Sequence, residues 1–158
     1  MGHDLDADAS VGKLHHRHHA SALASGGLLL LLIGGMIYIL FRSRQTLINL
    51  LLDHAGANGL EGVREAISQW QFPEWVVYNL PGGLWSGAYI MLIHALTMGE
   101  PIGKRLLWAG LIPALGVLSE MMQQLLLLPG VADRWDVFFY ALPYFVYFVY
   151  ISLKTIRS

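Results

Sequence analysis

The chain has 158 residues, 55% of them hydrophobic and 13% charged, with no cysteine and a net charge of -1. So apolar a mixture exceeds what a soluble domain uses and defines a membrane protein. Ten scattered Lys and Arg do not make the concentrated basic surface that nucleic acid requires, and without cysteine there are no disulfides, thiolate nucleophiles or Cys-based metal sites.

Residues 1–19 have no apolar period and end in "HHRHH". Imidazole is a common metal ligand, but a cluster without fixed geometry defines no site, so this stretch is read as a disordered His-rich tail. "MGHDLD" also lacks the Ser or Thr at position six that a myristoylation signal wants. Residues 20–158 form the membrane domain, with apolar stretches near 20–41, 75–98, 106–128 and 135–153. At about 1.5 Å rise per residue, each approaches the roughly 30 Å hydrocarbon layer. The expectation is an all-α, polytopic bundle of four transmembrane helices. The first stretch runs into Arg42 and Arg44 without a signal-peptidase pattern close behind, as a retained span does.

Between the first two spans, Val63, Ile67 and Trp70 recur at helical spacing while Arg64, Glu65 and Gln69 fall elsewhere, the pattern of a short interfacial helix. "GEPIGKR" and the Pro129-Gly130 turn are tight enough to make the later helices antiparallel. Six basic residues (Lys13, Arg17, Lys104, Arg105, Lys154, Arg157) then share a side with both termini, against four (Arg42, Arg44, Arg64, Arg134) on the other. That bias places both termini on the cytoplasmic side.

Topology alone puts Asn79, Glu120, Asp133 and Asp136 on one side, because span two starts where span three ends and span four begins. At about 100° per residue, Pro113, Gly116, Glu120, Gln123 and Gln124 share one arc of span three. Asp136, Tyr140, Tyr144, Tyr147 and Tyr150 share another on span four, and Trp85, Ser86 and Tyr89 lie on a stripe of span two. Small residues such as Gly83 and Gly87, or Gly110 and Ala114, are read as helix-packing contacts. An acid inside a span costs about 2.5–3.5 kcal/mol on insertion scales and turns toward protein or water, which makes Glu120 the leading functional candidate. Asp133 and Asp136 serve equally as helix caps or as site residues.

These residues resemble the VanZ-like family of small bacterial membrane proteins, over about residues 75–150. Glu120 and Gln123 match its Glu and Gln pair, Asp136 its span-opening Asp, Asp133 a further acid, and Trp85 with Tyr89 the position of its His and Tyr pair. Pro81 and Gly82 stand where the family has Asp-Lys. The resemblance implies a multi-pass envelope protein of the bacterial inner membrane, associated with low-level resistance to the glycopeptide teicoplanin.

The expected ligand site is Glu120, Gln123, Gln124, Asp133, Asp136, Tyr140, Trp85 and Tyr89, facing a membrane lipid head group, an envelope precursor or an amphiphilic small molecule. A second reading is a metal-assisted lipid-modifying enzyme, with Glu120 as general acid or base and Asp133 and Asp136 on Mg²⁺. A third is an accessory subunit held to a membrane-protein partner by its small-residue stripes. The residues single out no cofactor and no catalytic group, so enzyme activity stays open.

Overall fold

A computed structural model describes residues 3–42, 46–54, 56 and 60–156, with side chains from Arg17 onward except those of Leu47, Asp53, Leu60 and Ser68. Arg44 and Arg157 of the charge comparison, Met1 and Gly2 of "MGHDLD", and the side chain of Lys13 lie outside what is described. Every regular element among the described residues is helical: α1 (His3–Phe41), α2 (Leu47–His54), α3 (Leu60–Ser68), α4 (Glu74–Tyr78), α5 (Leu80–Leu96), α6 (Ile102–Gln124) and α7 (Arg134–Ile156).

Among the described residues, three segments are long and apolar enough to cross a membrane: Arg17–Phe41 of α1, α6 and α7. The stretch expected as one span over 75–98 is divided. Pro81 has no N–H, and its ring crowds the carbonyl four residues back, so the chain breaks at Asn79 into short α4 and the 17-residue α5. At about 26 Å, α5 alone is shorter than the hydrocarbon layer.

The helix expected from residue 20 reaches back to His3, through the stretch read as a disordered tail. That stretch contains no proline, and extending an existing helix is far cheaper than nucleating one. The single interfacial helix expected after span one is two, α2 and α3. Arg64 of α3 donates through its guanidinium to the Ile39 carbonyl at the end of α1.

Span three stops at Gln124 instead of 128. Leu127 N–H donates to the Met122 carbonyl and Leu126 N–H to that of Gln123, a Schellman turn with Leu126 at φ 57° where glycine is favoured. α7 runs unbroken through Pro143.

α5 is the hub, packing on α1, α6 and α7. In hydrocarbon there is little hydrophobic drive between helices, so close approach through small residues carries the packing. A methyl group on Gly27 would stand 3.0 Å from the Ala88 carbonyl oxygen, and one on Gly34 would be 2.7 Å from the Trp85 ring. On the other flank α7 sets aromatic rings on glycines: Phe139 against Gly83, Tyr140 against both Gly82 and Gly116, and Tyr144 against Gly110. Of the expected small-residue contacts, Gly83 and Gly110 are therefore close-packed, while Gly87 has only ordinary contacts. Hydrogen bonds from Ser86 to the Tyr140 carbonyl, Tyr89 to that of Trp108 and Tyr144 to that of Leu106 tie the three helices together. Leu28, Leu32, Leu107 and Phe145 remain exposed, as lipid-facing residues are.

Candidate functional site

Asn79, at the break between α4 and α5, is 3% exposed. Its amide nitrogen donates to Oδ2 of Asp133 and to Oδ1 of Asp136, each at 2.9 Å. Ionised carboxylates only accept, so the amide must present its NH₂ group to them. Asp133 precedes α7 and caps it, its Oδ1 accepting from Trp135 N–H at 2.9 Å. Behind the pair, Glu120 is 7% exposed and its Oε2 accepts from the Asp133 N–H at 3.1 Å. One residue from each of α6, the α4–α5 break, the α6–α7 turn and α7 thus meet in a single network.

The bonds from Trp135 and Asn79 stabilise the charged form of Asp133 and hold its carboxyl below the usual carboxylate range. Arg42, at the end of α1, donates to the Tyr78 carbonyl and lies over the Tyr38 and Tyr78 rings at 5.4 and 4.9 Å. Its field reaches Asp136 and Tyr140, but among the described residues it forms no ion pair with the acids. The cluster therefore keeps more acceptors than donors.

A recess of about 700 Å³ opens on this network, walled by Trp75, Tyr78, Trp135 and Phe139, with Glu74, Asn79 and Asp133 as its polar groups. Trp75 and Phe139 stack across it at 6.0 Å and 14°.

Of the residues singled out from sequence, Glu120, Asp133 and Asp136 are brought together. Tyr140 sits just beneath them, clamped between Gly82 and Gly116. Gln123 packs against Gly130 of the turn, where a Cβ would come within 2.6 Å of its Oε1, and Gln124 is exposed at the end of α6. Trp85 and Tyr89 are not in the cluster. Trp85 turns to α1, 5.3 Å from the Tyr38 ring, and Tyr89 bonds to α6 at Trp108. A stripe on one helix fixes direction, but which neighbour stands there is decided by packing.

The residue missing from the expected set is Asn79 itself, together with the aromatic wall. A polar amide two residues before Pro81, on the side where the acids converge, was the available signal. Comparison with protein-family models, curated proteins and solved structures gave no match.

Proposed function

We propose that this chain is a VanZ-like protein that crosses a bacterial cytoplasmic membrane four times and binds the polar head of an envelope lipid or lipid-linked precursor at its acidic end. Enclosure of α5 by three full-length helices, with α4 as its lead-in, supports the fourth crossing. The basic residues on the terminal side favour placing Asn79 and the acids at the outer leaflet.

The observation that carries the reading is the shared amide of Asn79 between Asp133 and Asp136. It fixes Asp133 beside the aromatic faces of the recess, with Asp136 held next to it on the same amide and its Oδ2 outside the network among the described residues. Acceptor oxygens next to flat apolar rings suit a hydroxyl-rich or amine-bearing head group, whose C–H faces stack while its O–H or N–H groups donate. The metal-assisted reading draws less support. Asn79 Nδ2 points an N–H at each carboxylate where a shared cation would sit, and both oxygens of Asp133 are already accepting. The resemblance to VanZ-like proteins makes a glycopeptide-like amphiphile the second probe to use.

Trp75 and Trp135 line the recess and report its occupancy. Titration of the purified chain with a lipid-linked saccharide or with teicoplanin is expected to change tryptophan fluorescence saturably. The Asp136→Ala variant, expressed at wild-type level, is expected to lose that response and any effect on teicoplanin susceptibility. If neither probe binds the wild type, or if Asp136→Ala binds them unchanged, this function is wrong.

A further inference from the structure

At the opposite end of the bundle a second polar group lies deep between helices. His94 of α5 is 6% exposed. Its Nδ1 lies 2.9 Å from an η nitrogen of Arg105 and 3.1 Å from the Tyr147 hydroxyl. A guanidinium can only donate, so Nδ1 carries the lone pair and the ring proton sits on Nε2. The Nε of Arg105 is buried with no partner among the described residues, and no described carboxylate pairs with Arg105 or with Lys154. Both cations line one groove with His94, Met91, Val146 and Tyr150. The groove holds about 830 Å³, within the roughly 300–1,000 Å³ span of small-ligand sites. Its walls run from Leu142 to Lys154 on α7, about 18 Å of helix.

A half-buried guanidinium whose Nε–H is buried and unused, with no described counter-ion, is costly in an apolar setting. The partner that relieves it must be an anion, and the long apolar wall beside it requires that the anion carry a hydrocarbon chain. We infer that this groove binds one anionic phospholipid, with its phosphate on Arg105 and Lys154 and an acyl chain along Met91, Leu142 and Val146. The site is separate from the acidic end and does not depend on what binds there. If both termini face the cytoplasm, the groove opens in the inner leaflet, where anionic lipid attracts basic pockets between helices. The His94 and Tyr147 bonds hold the guanidinium in place, so that it meets the phosphate already oriented.

The test is native mass spectrometry of the full chain in detergent, titrated with phosphatidylglycerol or phosphatidylcholine of identical acyl chains. One phosphatidylglycerol should be retained per chain in preference to phosphatidylcholine. Arg105→Gln and Lys154→Gln should each weaken that retention about fivefold. Val146 is 58% exposed on the groove wall, so Val146→Trp should reduce retention of both lipids without unfolding the bundle. Lys154 is exposed, so Lys154→Gln tests the head-group contact even if Arg105→Gln fails to fold. Equal retention of the two lipids would reduce the groove to ordinary annular contact and overturn the proposal. A lipid-free dimer that survives added phosphatidylglycerol would do the same, by assigning the groove to a second copy of the chain.

Discussion

The side-chain amide of Asn79 donates to Asp136 at 2.9 Å across 57 positions of sequence, joining the start of α5 to the first turn of α7. The same nitrogen donates to Asp133, so one buried amide orders both carboxylates. Asn79→Ala would leave two acceptors without donors. Hydrogen bonds to charged groups contribute about 1.5–3 kcal/mol each and less where the acceptor is half-exposed, as Asp133 is, so thermal unfolding in detergent is expected to show a loss of about 2–4 kcal/mol. Adding Asp136→Leu should cost less than the sum of the two single changes, since it removes one of the two acceptors that Asn79→Ala leaves unsatisfied. Strict additivity would mean that the bond is incidental.

Asp133 gives the cluster a pH dependence of known sign. Its carboxyl is held below the usual value of 3.8, first by the Trp135 N–H and then by Asn79. A depressed folded-state value contributes stability that is complete above the unfolded-state value and is lost as pH falls through the folded one. Wild type should therefore exceed Asp133→Asn by a constant margin above about pH 5, and the margin should close below about pH 3.8. A margin unchanged at the lowest pH the fold survives would assign it to packing.

The contact between Gly116 and Tyr140 leaves no room for a methyl group, which would fall 2.6 Å from the ring. Overpacking of this kind costs about 1–3 kcal/mol. Gly116→Ala is expected to lower the unfolding midpoint by that measure and to be rescued by Tyr140→Leu. Gly35→Ala, where nothing lies within 4 Å, should be neutral or slightly stabilising through helix propensity. Equal effects at both glycines would remove the ring from the account of packing.

With no native cysteine, single-cysteine labelling reads topology without background. Val131, 89% exposed in the turn before α7, should label as Val131→Cys from outside intact cells. Glu100, in the turn between α5 and α6, should label as Glu100→Cys only in inverted membranes. Labelling of both from one side would mean that α6 does not cross the bilayer, and labelling of Trp70→Cys, 61% exposed before α4, from the same side as Glu100→Cys would mean that α5 does not.

Much of the architecture was legible in the residues. Runs of apolar side chains bounded by Pro101, Pro129 and Gly130 located α6 and α7, and the parity of antiparallel hairpins put Asn79, Glu120, Asp133 and Asp136 at one end before any contact was known. Pro81 was just as visible, yet its effect on the second apolar stretch depends on a backbone hydrogen bond that hydropathy does not count. The reading of residues 3–19 as irregular weighed composition over continuity with the helix that follows.

The sequence by itself determined the apolar helices, their order and the end of the bundle at which the acids gather, because hydrophobic length and chain connectivity are properties of the chain alone. Only the tertiary structure decided that Asn79 bridges Asp133 and Asp136, that Trp85 faces Tyr38 on α1, and that Arg105 reaches His94. Helical arithmetic gives each side chain an angle about its own axis. Which neighbour stands at that angle, and how near, follows from where Gly27, Gly34, Gly82 and Gly116 let one helix sink against the next.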